Sequence, residues 1–318
     1  MSAPAPGAAA TPHAPMLSPR QTVLLVTLTL LWGLNWPMMK FSLRELSPIY
    51  FRAVTMTGGA LMLALFYSAR GTSMRLPRAA WGPVTLLALP NIFGWHLFSI
   101  LGVQELASGR AATLGFTMPI WTVLLAIAFF GQPLTRRASI SVACGALAVT
   151  LLVAHEFTAL AGRPLGVAWM QVAALSWALG TLLMRRSTLQ LPTETLTVWM
   201  MALSSLAFWA VAAVAEPWPS WQLSNSMLWA LAWGAAVNYG VAQVIWFGMA
   251  RNLPPLASTF AIMAVPLVGL LSATWIVDEV PRALDWVAAG FIMLAIASAL
   301  WPAGRTAGTR QNSARDTP

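Results

Sequence analysis

Apolar residues in this chain fall in long unbroken runs separated by short breaks rich in charge, proline or glycine. The alternation expected of membrane β-barrel strands, about ten residues of apolar-out and polar-in, does not occur. A helix that crosses a bilayer needs ~20 mostly apolar residues, and the runs are of that length. They predict helices over 21–43, 48–69, 81–104, 107–130, 138–155, 166–187, 193–215, 225–250, 255–277 and 283–301. The expected fold class is all-α and integral to the membrane, with about ten transmembrane helices.

Composition agrees, because 58% hydrophobic and 8% charged residues among 318 leave too little polar surface for a soluble fold. Residues 1–20, rich in Ala and Pro, and the polar stretch 302–318 cannot bury enough apolar surface to order themselves and are expected to be disordered tails. The run after Arg20 continues through Leu43 with no small-residue cleavage pattern, so a retained first helix is expected in place of a signal peptide.

The formal net charge of +9 raises the question of a nucleic-acid partner, and the positions of the basic residues answer it. With the N-terminus in the cytoplasm, Arg20, Arg70, Arg75, Arg78, Arg136, Arg137, Arg185, Arg186, Arg251, Arg305, Arg310 and Arg315 fall inside. Arg44, Arg110, Arg163 and Arg282 fall outside with Glu45, Glu105, Glu156, Glu216, Asp278, Glu279 and Asp285. This positive-inside asymmetry predicts an even number of spans, both termini cytoplasmic and a bacterial-type inner membrane. Topology thus accounts for the basic excess without nucleic acid.

The chain repeats itself. Pro119, followed by Gly131-Gln132-Pro133-Leu134, recurs 147 residues later as Pro266, followed by Asp278-Glu279-Val280-Pro281. The same offset maps Asn91 onto Asn238 and His96 onto Gln243, and the first helices align Trp32 with Trp177. Five helices per half is an odd number, so the second half enters the bilayer in the opposite sense. Residues 21–155 and 166–301 are therefore expected to be two inverted five-helix repeats joined by an external linker at 156–165. Inverted repeats place a solute site at their interface near mid-membrane and supply two related conformations open to opposite sides.

The run Trp32-Gly33-Leu34-Asn35-Trp36, then Phe51-Arg52-Ala53, then Ala111-Ala112 with Pro119 and Gly131-Gln132-Pro133-Leu134-Thr135, resembles the EamA-type repeat of the drug/metabolite transporter superfamily. The resemblance covers residues 21 to 301. It implies a ten-helix transporter with a central cavity lined from both halves, often exporting amino acids or other metabolites. The family pattern commonly has Gly-Glu where this chain has Gly131-Gln132.

Polar groups deep in a membrane are costly and mark a pathway or binding site by default. On the first helix, Trp32, Asn35, Trp36 and Met39 share one face through their i, i+3, i+4, i+7 spacing. On the third, Asn91 and Trp95 lie together with His96 beside them, and on the eighth Asn238, Tyr239, Gln243 and Trp246 form a stripe. With Trp177, these make up the expected solute-binding set, its tryptophans suited to an amphipathic or cationic solute by stacking and cation–π contact. Trp81, Trp169, Trp218, Trp221, Trp286 and Trp301 are expected at the headgroup level. Lys40 either snorkels to the interface or meets a solute carboxylate, and Arg52 is expected to make a structural or gating bond. Pro119 and Pro266 are expected mid-helix as kinks and hinges.

Several chemistries are excluded by composition. Cys144 is the only cysteine, which rules out an intrachain disulfide or a cysteine cage, so no metal is expected. Lys40, the only lysine, precedes Phe41, so the lysine-ended phosphate loop of an ATPase is impossible and no cofactor is expected. No nucleophile, base or ligand set gathers at an interface, so no catalytic residues are expected. A carrier exporting an amino acid or similar small amphipathic solute by alternating access fits best, as monomer or homodimer. A carrier of lipid-like or quaternary-ammonium compounds is the alternative, with a membrane enzyme further behind. Coupling, if any, would run through His96.

Overall fold

A computed structural model describes residues 18–158, 163–250 and 255–300, with no account of the side chains of 130, 155–158, 247–262 and 300. The expected tails apart from 18–20, residues 159–162 of the linker, and Arg251, Trp301, Arg305, Arg310 and Arg315 lie outside the described residues, as do the side chains of His155 and Glu156.

The described chain is helical: α1 (Pro19–Ser42), α2 (Pro48–Ala69), α3 (Trp81–Ala88), α4 (Trp95–Glu105), α5 (Ser108–Gly115), α6 (Met118–Phe130), α7 (Arg136–Thr158), α8 (Pro164–Arg186), α9 (Thr193–Ala215), α10 (Asn225–Ala232), α11 (Ala242–Ala250), α12 (Pro255–Ile276) and α13 (Ala283–Leu300). Leu89–Gly94 joins α3 to α4 as π-helix, and Trp233–Val241 joins α10 to α11 the same way. Among the described residues, eight segments are long and apolar enough to cross a membrane, accompanied by the shorter apolar stretches Met263–Ile276 and Ala283–Ala299. Their outward faces carry side chains such as Val214, Trp229 and Trp275, which only lipid would cover.

Local chemistry sets the helix boundaries. Ser18 and Gln21 exchange hydrogen bonds in a capping box, with Pro19 in the first turn of α1. Pro48 and Pro164 likewise open α2 and α8, where a missing N–H costs nothing. The ends of α6 and α12 repeat one another closely. Gly131 and Asp278 both take left-handed backbone, and the amides of Gln132 and Glu279 both reach back 3.2 Å to the carbonyls of Ala126 and Ala273.

The two halves interleave. The closest-packed pairs are α7 with α13, α2 with α9, α1 with α12 and α4 with α8, so each half packs mainly on the other. The pairs α2–α9 and α7–α13 join helices at equivalent repeat positions, the arrangement expected along a pseudo-two-fold axis. One continuous core results, running from Tyr50, Met56 and Leu63 through Ile100, Met170 and Phe208 to Tyr239 and Ile292.

Three expected helices differ in detail. The third and eighth contain the π-helical segments, and the fourth breaks at Phe116–Thr117 into α5 and α6. Pro119 is thus in the first turn of α6, where its ring removes no needed donor, and it is not the mid-helix kink expected of it. The Thr117 hydroxyl donates to the Leu114 carbonyl at 2.7 Å, closing the break. Pro266 does lie inside α12, and Pro37, not singled out from sequence, lies inside α1 beside Trp36.

Candidate functional site

The seam between α1 and the α10–α11 rod is fixed at both ends. Glu45, just past α1, bonds the backbone and hydroxyl of Ser224 at the start of α10, so the two rods run antiparallel. Farther along, the rings of Trp32 and Trp246 meet at 5.6 Å. One turn from that pair, on the same faces, come Asn35 and Gln243, half-buried and without a side-chain hydrogen bond among the described residues. A further turn brings Met39 and Tyr239, which share a partner. The Arg52 guanidinium donates from Nη1 to the Tyr239 hydroxyl at 3.0 Å, and from Nη2 to the Met39 sulfur at 2.9 Å and the Ser99 hydroxyl at 3.3 Å.

Arg52 reaches this place from the second turn of α2, where it is 3% exposed. Close approach of α2 to the Trp233–Val241 segment makes the contact possible. A Cβ on Gly59 would collide with that of Tyr239, and one on Gly234 would press on Thr55. Small residues that let backbones approach are the usual means of tight helix packing where lipid surrounds the bundle. Arg52 therefore makes the interhelical bond expected of it, though with a phenol, a thioether and a hydroxyl, none of them acidic.

The two asparagines of the repeat lie in the two π-helical segments, Asn91 in Leu89–Gly94 and Asn238 in Trp233–Val241. π-helical turns are rare and concentrate at functional sites because the wide turn pulls carbonyls out of their usual pairing. Side chains take up the freed acceptors here. Asn91 donates to the Leu87 carbonyl at 3.0 Å, and His96 Nδ1 lies 2.8 Å from the Ile92 carbonyl, which can only accept, so the proton is on Nδ1. Asn91 also packs against Gly180 of α8, where any larger residue would clash. The His96 ring lies 5.3 Å from that of Tyr239, completing the link from α4 to the second half.

Beside this polar cluster runs a chain of aromatics: Phe116 to Trp36 at 6.5 Å, Trp36 to Trp95 at 6.3 Å, and Trp95 to Trp177 at 5.4 Å. Of the eleven residues expected to bind solute, seven lie on the α1 and α10–α11 rods, Asn91, Trp95 and His96 on the α3–α4 rod and Trp177 on α8, and Trp32, Trp36, Trp95, His96, Trp177, Tyr239 and Trp246 make ring contacts. Gln171 went unnoticed in the sequence. Its Oε1 accepts from Trp121 at 3.0 Å and Thr117 at 3.3 Å, while its buried Nε2 lacks a partner among the described residues. A polar amide side chain in the apolar run of α8 was the available signal.

Lys40 is held by the chain's own backbone. Its ammonium donates to the carbonyls of Val103, Gln104 and Leu106 at 2.8–2.9 Å, closing the C-terminal end of α4, where positive charge suits the helix dipole. Acidic residues at this end of the bundle do the converse. Glu216 accepts from the Ser47 hydroxyl and the amides of Ile49 and Tyr50 at the start of α2, and Glu279 from the amide and hydroxyl of Ser108 at the start of α5. Arg110 pairs with Asp285 at 2.8 Å, both buried, near the helix starts that the sequence placed on the outer side. A hollow of about 240 Å³ lined by Lys40, Arg44, Gln104 and Glu279 opens among these groups. Among the described residues, no group of three or more His, Cys, Asp or Glu could hold a metal.

Sequence comparison matches two stretches, 21–154 and 164–301, to one domain, the EamA-like transporter family. The chain belongs to this family. The uncharacterized inner membrane transporter YedA of Escherichia coli K12 is 25% identical over 86% of this chain and 88% of its own length. The uncharacterized transporter YoaV of Bacillus subtilis 168 is 20% identical over 77% and 85%. A probable amino-acid metabolite efflux pump of E. coli K12 is 22% identical over 87% and 93%. A solved crystal structure of a protein 21% identical superposes with a TM-score of 0.62 over 88% of this chain and 96% of its own, a likeness of fold. The EamA-like chain described here is a multi-pass membrane protein and a small-molecule transporter, in a family of transporters and not of enzymes.

Proposed function

We propose that this EamA-like transporter is a secondary carrier that exports an amino acid or similar amphipathic metabolite by alternating access. One observation carries the reading: Arg52, Ser99 and His96 of the first half and Tyr239 of the second converge on one buried polar cluster flanked by tryptophans. Ionisable groups gathered deep in a lipid-embedded bundle mark a pathway or binding site by default. The efflux-pump relative supports the solute class, and the arginine asymmetry supports an inner membrane with both termini cytoplasmic. On that reading the end held by Glu45, Glu216 and Glu279 faces outward and is closed in this conformation. Pro266 and the break before Pro119 would be the hinges.

A cationic or quaternary-ammonium solute suits the tryptophan walls but not a fixed guanidinium among them, so the charge of Arg52 favours the amino-acid reading. The test is a metabolite profile of cells overproducing the protein, followed by flux of the exported compounds in proteoliposomes. Export of an amino acid, reproduced by the purified protein, is expected. An unchanged profile and no flux above empty liposomes would refute the carrier. Repeating the flux with and without a pH gradient, wild type against His96→Ala, assigns coupling: identical gradient dependence removes His96 from it.

A further inference from the structure

We propose that Arg52 is the anchor for a carboxylate on the transported solute, one per site and at one end of it. The inference rests on the carrier reading above and adds the chemistry that selects the cargo.

The guanidinium is 3% exposed and bonded only to neutral acceptors, one of them a thioether, which accepts weakly. Its Nε has no partner among the described residues. The other buried arginine among the described residues is neutralised directly, Arg110 by Asp285 at 2.8 Å. A buried charge without a counter-charge is expensive, and a protein that bears the expense at Arg52 and not at Arg110 keeps that cation for something that arrives. The planar fork of an arginine matches a carboxylate through two parallel hydrogen bonds. The Nε and Nη2 edge, where Nη2 meets only the Met39 sulfur and the Ser99 hydroxyl at 3.3 Å and Nε has no partner among the described residues, is where such a pair would form.

What surrounds Arg52 fits the rest of an amphipathic monoanion. Met39 and Ser99, its partners, lie one turn from Trp36 and Trp95 on the same faces of α1 and α4, so an apolar body held by its carboxylate would lie along those rings. One turn from Met39 and Tyr239 the unpaired amides of Asn35 and Gln243 offer oxygens to an ammonium group. The site is also one-sided. When α2 and α9 are aligned from their first residues, Arg52 falls opposite Thr197, so the pseudo-symmetric half supplies no second cation. A solute with a single carboxylate would bind in one orientation.

The experiment measures uptake into proteoliposomes of L-leucine and L-phenylalanine, their amides and their decarboxylated amines, by wild type, Arg52→Lys and Arg52→Gln. The amides keep the shape and the ammonium group and lose only the negative charge. Wild type is expected to carry the acids at least 10-fold better than the amides, Arg52→Gln to lose that preference through loss of acid transport, and Arg52→Lys to retain part of it. Arg52→Lys, which keeps the charge, and gel filtration of both variants separate recognition from misfolding. Acid transport by a monodisperse Arg52→Gln at the wild-type rate, or wild-type flux of the amides equal to that of the acids, overturns this inference and leaves the carrier standing. No flux of any compound overturns both.

Discussion

Gly131 and Asp278 occupy equivalent positions in the two halves of the chain and hold the same left-handed backbone, φ 63° and 61°. Each follows a helix of the fourth position in its repeat, and each is followed by an amide that bonds a carbonyl six residues back. The turn has been kept while the side chain diverged. An aspartate in this conformation carries strain of about 1–2 kcal/mol that glycine lacks, partly offset by the larger entropy glycine loses on folding. Asp278→Gly is therefore expected to leave melting of the detergent-solubilised protein unchanged or raise it. Gly131→Val should lower it by on the order of 1–2 kcal/mol. Equal losses at both sites would show that the Asp278 carboxylate, and not the turn, is what matters.

Lys40 makes three hydrogen bonds to carbonyls that no amide of α4 can satisfy. Lys40→Met keeps the length of the side chain and removes all three donors, for a loss of about 1–3 kcal/mol. Thermal unfolding in detergent measures it. Transport lost without any loss of stability would instead mark Lys40 as part of the solute path.

Tyr239 reaches Arg52 only because Gly59 leaves room. Gly59→Leu should push the two rods apart, at roughly 1–3 kcal/mol for overpacking, and break the Arg52–Tyr239 bond. Transport is expected to fall further than stability does. Tyr239→Phe, which keeps the ring and deletes the hydroxyl, should show the same transport defect with a smaller loss of stability.

The Glu45 carboxylate is held below its ordinary value of 4.5 by hydrogen bonds from the Ser224 side chain and then its backbone. A depressed carboxylate contributes stability that is complete above its unfolded value and disappears as pH falls through the folded one. Wild type should thus melt above Glu45→Gln at pH 7, with the gap unchanged down to about pH 5 and closing below it. A gap that widened toward acid would reverse the sign of this account.

The sequence exposed the spans because a helix in lipid must be apolar along its whole length, and no other element could use those runs. It exposed the repeat because Asn91 and Asn238, and Pro119 and Pro266, kept their spacing. The π-helical segments were hidden, since a wide turn needs no particular residue, only a packing partner such as Gly180 or Gly59. The roles of Glu45, Glu216 and Glu279 were hidden for another reason: each caps a helix more than 160 residues away in sequence. A hint was there. Ser47 and Ser224 open their helices with Tyr50 and Met227 where a capping box has Glu or Gln, leaving amides for a distant carboxylate. Arg52 was recognised as polar and deep, but that its partners are all neutral depends on which side chains the other half brings.

Alternating access requires the two halves to part at the end where Glu45 meets Ser224, so joining them there must stop transport. In a Cys144→Ser background, cysteines at positions 45 and 224 can be linked by a short bifunctional thiol reagent, and amino-acid counterflow measured in proteoliposomes before and after. Saturable flux that falls at least 10-fold on linking, with each single-cysteine protein unaffected by the reagent, is the predicted result. Flux that continues at the unlinked rate after complete linking would contradict the account.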